Sequence, residues 1–316
     1  MPTRSPPGRS ETDETAVATD RTDRSDLERL ARAVIGAGAT QPFGAYVFLS
    51  DDPAAELGRH VEREVFLEAF GNTPELLEAE YGPYDASSLF FVILDHRRAH
   101  PAGVIRIIVP TAGGPGLKTF NDIGPIWQES AKAILHRSGV GLEVARTWDI
   151  ATLAVDAGYR SAAATGLVSL GLYQSIVRTG EALGVEWMVA ILDRAVYRMS
   201  KARFHQPFFA LAEGRPYLGS PDSLPIYGCV SDWRRRLAMA DPPIHGIIYE
   251  GVGIEPALRP LNVAAATALA ARIFAAPELR RRGAARSSPY RVQGSPAAAP
   301  ARPAVFAPRP RRAATG

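Results

Sequence analysis

The chain has one cysteine, Cys229, in 316 residues. That excludes an internal disulfide and reads as a protein of a reducing compartment. It has no run of 18 apolar residues, and its first residues are polar where a secretory leader needs an apolar stretch. The expectation is a cytoplasmic protein without a membrane partner. The six histidines (His60, His96, His100, His136, His205 and His245) are scattered without ligand spacing, so no metal is expected. Internal repeats are also missing.

What is present is a long apolar middle between two polar ends. Residues 1–43 are rich in Thr, Arg, Asp, Ser and Ala with little apolar periodicity and read as a disordered tail. Residues 275–316, rich in Arg, Ala and Pro, read as a second one. Between them, 44–274 is expected to be a single folded domain. Nine of the 36 Lys and Arg residues lie in 280–316, which has no acid; the remaining 27 face 33 acids, a balance of −6. The domain is therefore acidic. The basic tail is an expected product of composition rather than a nucleic-acid contact.

Leu57, Val61, Val65 and Ala69 recur every four residues, with Phe66 and Phe70 beside them, which predicts a helix from about 53 to 70 that stops at Gly71-Asn72-Thr73-Pro74. Two strands, 88–95 and 102–110, form an expected hairpin. A glycine-rich loop at 112–116 and a less ordered linker through 127–146 follow. A helix over 162–183, a strand over 186–192, a helix over 195–202 capped by Asp193, late strands near 207–211 and 225–230, and a helix over 233–240 complete the order. The pattern predicts an α/β (α+β) sandwich with a central mixed, mostly antiparallel sheet that splays near Trp148.

The most informative stretch runs Trp148-Asp149-Ile150-Ala151-Thr152-Leu153-Ala154-Val155, then Asp156-Ala157-Gly158-Tyr159-Arg160-Ser161, then Ala162-Ala163-Ala164-Thr165-Gly166. It is a strand carrying an acid, a turn, and a helix opened by small residues. Such a helix start offers free N–H groups and a positive dipole end, suited to phosphates. Asp149 alternates with Trp148 and Ile150, so one face carries the acid and the other the packing.

This arrangement resembles the GNAT acyltransferase superfamily. Further runs come in the order of its acyl-homoserine-lactone synthase branch: Arg63-Glu64-Val65-Phe66, Glu80-Tyr81-Gly82-Pro83-Tyr84-Asp85, Val104-Ile105-Arg106-Ile107-Ile108 and Lys118-Thr119-Phe120. The resemblance covers about residues 57–233. It implies an acyl donor, acyl-CoA or an acyl carrier protein, and a small-molecule amine acceptor such as an amino acid.

The same resemblance assigns roles. Asp149 is the implied acceptor of the amine proton. Backbone N–H groups of Leu153, Ala154 and Val155 are the implied oxyanion and pantetheine contacts, and Arg160, Ser161, Ala163 and Thr165 the implied phosphate contacts. Glu80, Asp85, Arg106 and Thr152 are the implied substrate-binding residues, and Tyr197 a proton donor to the leaving thiolate. The chain departs from the pattern at Ala163 and Thr165, where glycines are expected, at Ala151-Thr152-Leu153 for Ser-Arg-Phe, at Glu62 for an Arg, and at Gly71 for an aromatic residue. The last three departures bear on the acceptor, and the missing glycines on the donor loop. An S-adenosylmethionine-using lactone synthase and a non-catalytic acyl-carrier or CoA-binding module are the alternatives.

Overall fold

The computed structural model describes residues 24–160 and 162–275. Its frame is a nine-stranded mixed sheet. In chain order the strands are β1 (Phe43–Leu49), β2 (Ser88–Asp95), β3 (His100–Ile108), β4 (Thr147–Val155), β5 (Trp187–Asp193), β6 (Phe209–Ala210), β7 (Arg215–Tyr217), β8 (Ser220–Cys229) and β9 (Leu258–Arg259). Their order across the sheet is β6-β8-β5-β4-β3-β2-β1-β9, with β7 also on β8. Every pair is antiparallel except β4 with β5 and β1 with β9.

Helices cover both faces of the sheet. On one face lie α1 (24–35) and α2 (Ala55–Phe70). Leu27, Ala31, Leu57 and Val61 pack there on Phe90, Val92, Val104 and Ala154. A Cβ on Gly58 would stand 2.9 Å from the Phe90 ring, so glycine sets how closely α2 approaches the sheet. The predicted stop of α2 holds: Gly71 is left-handed at φ 70°, and its N–H and that of Asn72 close on Leu67 and Phe66. Thr73 then caps α3 (Pro74–Tyr81). The other face carries α6 (Ala162–Ala182), whose Val168, Leu172 and Ile176 pack on Phe91, Ile105 and Trp148.

Two expectations change. The stretch 24–35, placed in the N-terminal tail, is a helix; Leu27 and Ala31, four apart, are buried against the sheet, with Leu30, Val34 and Ile35 packed beside them. The linker through 127–146 is largely ordered, because Ile123, Trp127 and Ile134 on α4 (Lys118–Trp127) and α5 (Ala131–Arg137) make a small core of their own with Leu211. The hairpin, the helix after Asp193 (α7, Arg194–Arg203) and the helix α8 (Val230–Ala240) stand as expected. Among the described residues no helix is long and apolar enough to cross a membrane, and no group of three or more His, Cys, Asp or Glu side chains is placed to hold a metal ion.

Candidate active site

The parallel pairing of β4 with β5 lasts only from Thr147 to Asp149, opposite Trp187 to Val189. Beyond it each strand continues, β4 to Val155 and β5 to Asp193, without pairing to the other. This is the expected splay. At the same place β4 has a bulge: Ile107 faces Ile150 and Arg106 faces Thr152, leaving Ala151 unpaired. A bulge resets the side-chain alternation. Asp149, Thr152 and Ala154 therefore share the α2 side of the sheet, while Trp148, Ile150, Leu153 and Val155 join the main core on the other.

The gap between the parted strands is a cavity of about 320 Å³, within the range of small-molecule sites. Its walls are mostly apolar. Val65, Phe66 and Phe70 of α2 form one side, and Ile150, Leu153 and Leu192 of the strands another. The closed end is polar, with Lys118, Thr119, Asp149, Tyr81 and Tyr217.

Asp149 is 1% exposed. The Thr119 backbone N–H donates to its Oδ2 at 2.7 Å and the Thr119 hydroxyl to its Oδ1 at 2.8 Å. Burial pushes its pKa up to about 7, against the lowering pull of those two hydrogen bonds. A carboxyl with that pKa is matched to proton transfer near neutrality.

Lys118, also buried, donates to Glu80 and to Asp122, each at 2.7 Å. Three tyrosine rings surround its ammonium: Tyr81, Tyr217 and Tyr84 at 5.3, 5.6 and 5.9 Å. Burial works against its charge, but Asp122 and Glu80 outweigh it and hold the pKa above the usual lysine value. The Tyr217 hydroxyl donates to Asp122 at 2.5 Å.

The residues expected to bind substrate divide between two places. Glu80 is tied through Lys118 to the main cavity. Asp85 and Arg106 instead line a second cavity, of about 560 Å³, with Arg59 and Glu62. There Arg106 pairs with Asp85 and with Glu62, at 3.3 Å for the latter, and also donates to Ser88. Thr152 is buried with its hydroxyl donated to Glu62 and does not reach the main cavity. Tyr81 joins the two regions: its hydroxyl donates to the carbonyl of the bulged Ala151 at 3.1 Å, and its carbonyl accepts from Arg106 at 3.3 Å.

Leu153, Ala154, Val155 and Arg160 line the main cavity. The Arg160 guanidinium donates to the Val155 carbonyl at 2.9 Å and pairs with Glu68 at 3.0 Å. Ser161 lies outside the described residues, as do the side chains of Ala163 and Thr165; the helix itself begins at Ala162. Tyr197 packs against the main core, off the cavity wall. The wall there carries Tyr173 of α6, whose hydroxyl shares a hydrogen bond of 3.1 Å with Ser200. Burial raises Tyr173 to about 12.

The fold is similar to that of solved acyltransferases. An N-acyl amino acid synthase from uncultured soil microbes, FeeM, matches 64% of this chain and 99% of its own at 16% identity, TM-score 0.47. A CoA-dependent acyl-homoserine lactone synthase, BjaI, solved with SAM and isopentyl-CoA, matches 72% of this chain and 98% of its own at 13% identity, TM-score 0.43. A GNAT-family acetyltransferase from Staphylococcus aureus Mu50 matches 59% and 99% at 11% identity, TM-score 0.35. No family model and no curated protein matches the sequence.

Lys118, Thr119, Asp122 and Tyr217 were not among the expected site residues. Lys118 and Thr119 stand inside one of the runs that carry the resemblance, yet only the fold of α4 against β4 brings them to Asp149. Tyr217 reaches the site across 95 residues of sequence from Asp122. No local pattern carries that contact.

Proposed function

We propose that this chain is a GNAT-type N-acyltransferase that moves an acyl group from a thioester donor, acyl-CoA or acyl carrier protein, to the amine of a small molecule. The observation that carries the reading is Asp149: a buried carboxyl with a pKa near neutrality, at the closed end of an apolar cavity where β4 and β5 part. A purely structural carboxylate gains nothing from facing an apolar cavity.

The chemistry follows the cavity from its open end inward. Arg160, which lines the cavity, and the N–H groups of the first turn of α6 hold the donor's phosphates. The pantetheine arm runs along the β4 edge that β5 has left, and the acyl chain lies on Val65, Phe66 and Phe70. The amine arrives at the closed end, where the Asp149 carboxylate takes its proton. The nitrogen attacks the thioester carbonyl carbon, and the N–H groups of Leu153 and Val155, which alternate to the β4 edge away from β3, stabilise the oxyanion. The C–S bond then breaks. Tyr173, protonated at neutral pH and paired with Ser200, is better placed than Tyr197 to give the thiolate a proton. The products are an amide and a free thiol.

The test is mass spectrometry of extracts from cells overexpressing the chain beside an Asp149→Ala version. Acylated amines found only with the former support the reading; their absence moves the weight to a module that binds an acyl donor without turnover.

A further inference from the structure

The charges at the closed end of the cavity do not balance. Lys118 is the one cation there among the described residues, and it is already shared by two carboxylates, Glu80 and Asp122. Asp149 adds a carboxyl that is negative for part of the time at neutral pH. Of the hydroxyls, Tyr81 is committed to the Ala151 carbonyl and Tyr217 to Asp122. Both Thr119 donors are taken by Asp149. Further along β5, Asp193 caps α7 and accepts from Ser220.

An incoming ammonium suits this end, because it meets carboxylates and tyrosine rings without displacing anything. An incoming carboxylate does not. It would compete with Glu80 and Asp122 for a lysine that is 4% exposed. The other cavity cation, Arg160, is separated from Asp149 by the length of the strand, about 20 Å for six residues at ~3.3 Å each. A carboxylate on the carbon next to a reacting nitrogen has no such reach.

We infer that the acceptor is an amine with no carboxylate beside its nitrogen, and that Lys118, neutralised by Glu80 and Asp122, is the device that excludes α-amino acids. This rests on the acyl-transfer reading and narrows it: the amino-acid acceptor expected from the sequence gives way to simple amines, amino alcohols or diamines. The discrimination works by leaving a charge unpaired in a desolvated site, which costs more than a well-made hydrogen bond to the favoured acceptor contributes.

The test uses the purified full chain, octanoyl-CoA and palmitoyl-CoA as donors, and three matched acceptor pairs, each with a single reactive amine: tyramine and tyrosine, histamine and histidine, tryptamine and tryptophan. Amide product is counted by mass spectrometry. The expected result is a kcat/KM about tenfold or more higher for the decarboxylated member of every pair that reacts. Glu80→Gln, at a site one-third exposed, releases part of the Lys118 charge, and is expected to move the ratio several-fold toward the amino acid. Equal or preferred use of the amino acids by the wild type overturns the inference and leaves acyl transfer standing. An unchanged ratio in Glu80→Gln overturns the role given to Lys118. No amide from either member of any pair contradicts the acyl-transfer reading, and the inference with it.

Discussion

Thr119 gives Asp149 two hydrogen bonds, one from its backbone N–H and one from its hydroxyl, so a single residue of α4 holds both oxygens of a carboxyl carried by β4. The backbone bond persists in any variant; the hydroxyl bond does not. Thr119→Val keeps the shape and removes one donor from the charged form. A hydrogen bond to a charged group contributes about 1.5–3 kcal/mol, so the acidic limb of the pH–rate profile is expected to move up by about one to two pH units. Activity at pH 7 falls, activity at high pH survives, and Thr119→Ser restores the wild-type profile. A limb that stays in place shows that the hydroxyl does not tune Asp149.

Asp149 itself makes stability depend on pH in a definite direction. Its pKa is raised from the usual carboxylate value of 3.8 to about 7 on folding. The folded state therefore takes up a proton between those values, and this group's contribution is complete below about pH 4 and lost as pH rises through 7. One proton across about three pH units corresponds to about 4 kcal/mol. Denaturant melts from pH 4 to 8 are expected to show this decline superimposed on other titrations, and Asp149→Asn is expected to flatten it.

The Arg106 cluster predicts a stability effect separable from catalysis. Its guanidinium and the Glu62 carboxylate are 3% and 4% exposed. Removing one partner strands a buried charge, at a cost of about 3–5 kcal/mol. Arg106→Met is expected to lower the melting temperature by about 6–20 °C for a loss of that size, measured by calorimetry; Arg106→Met with Glu62→Gln recovers part of it.

Arg160 lies at the cavity's open end in an exposed pair with Glu68. Exposed pairs contribute little to stability, so Arg160→Ala is expected to melt as the wild type does. Its effect belongs to the donor: KM for acyl-CoA rises several-fold to tenfold while kcat holds, and the change shrinks with donors lacking the nucleotide phosphates.

How far the sequence reveals this site follows from where its information lies. Asp149 and the Trp148 strand are legible because period-two alternation and an acid among apolar residues sit within one short run. The stop at Gly71 and the cap at Asp193 are legible for the same local reason. The bulge at Ala151 is not, since nothing in Ala-Thr-Leu marks an extra residue, and it decides that Thr152 turns to Glu62 rather than into the cavity. Glu62 reads as a departure from a motif and proves to be the buried partner of Arg106, 44 residues away. That Tyr173, and not the expected Tyr197, lines the cavity shows only once α6 and α7 are seen against the splayed strands. Contacts between distant segments are what the sequence withholds.

The central claim is that Asp149 removes the amine proton in an acyl transfer. The measurement that tests it most directly is the rate of amide formation by the purified chain and by Asp149→Asn, with octanoyl-CoA and tyramine, from pH 5 to 9, after melting curves show both to be folded. The account predicts a wild-type rate that rises with an apparent pKa near 7 and a variant rate lower by about 10²–10⁴ without that limb. Equal rates and equal profiles in the two folded proteins would contradict it.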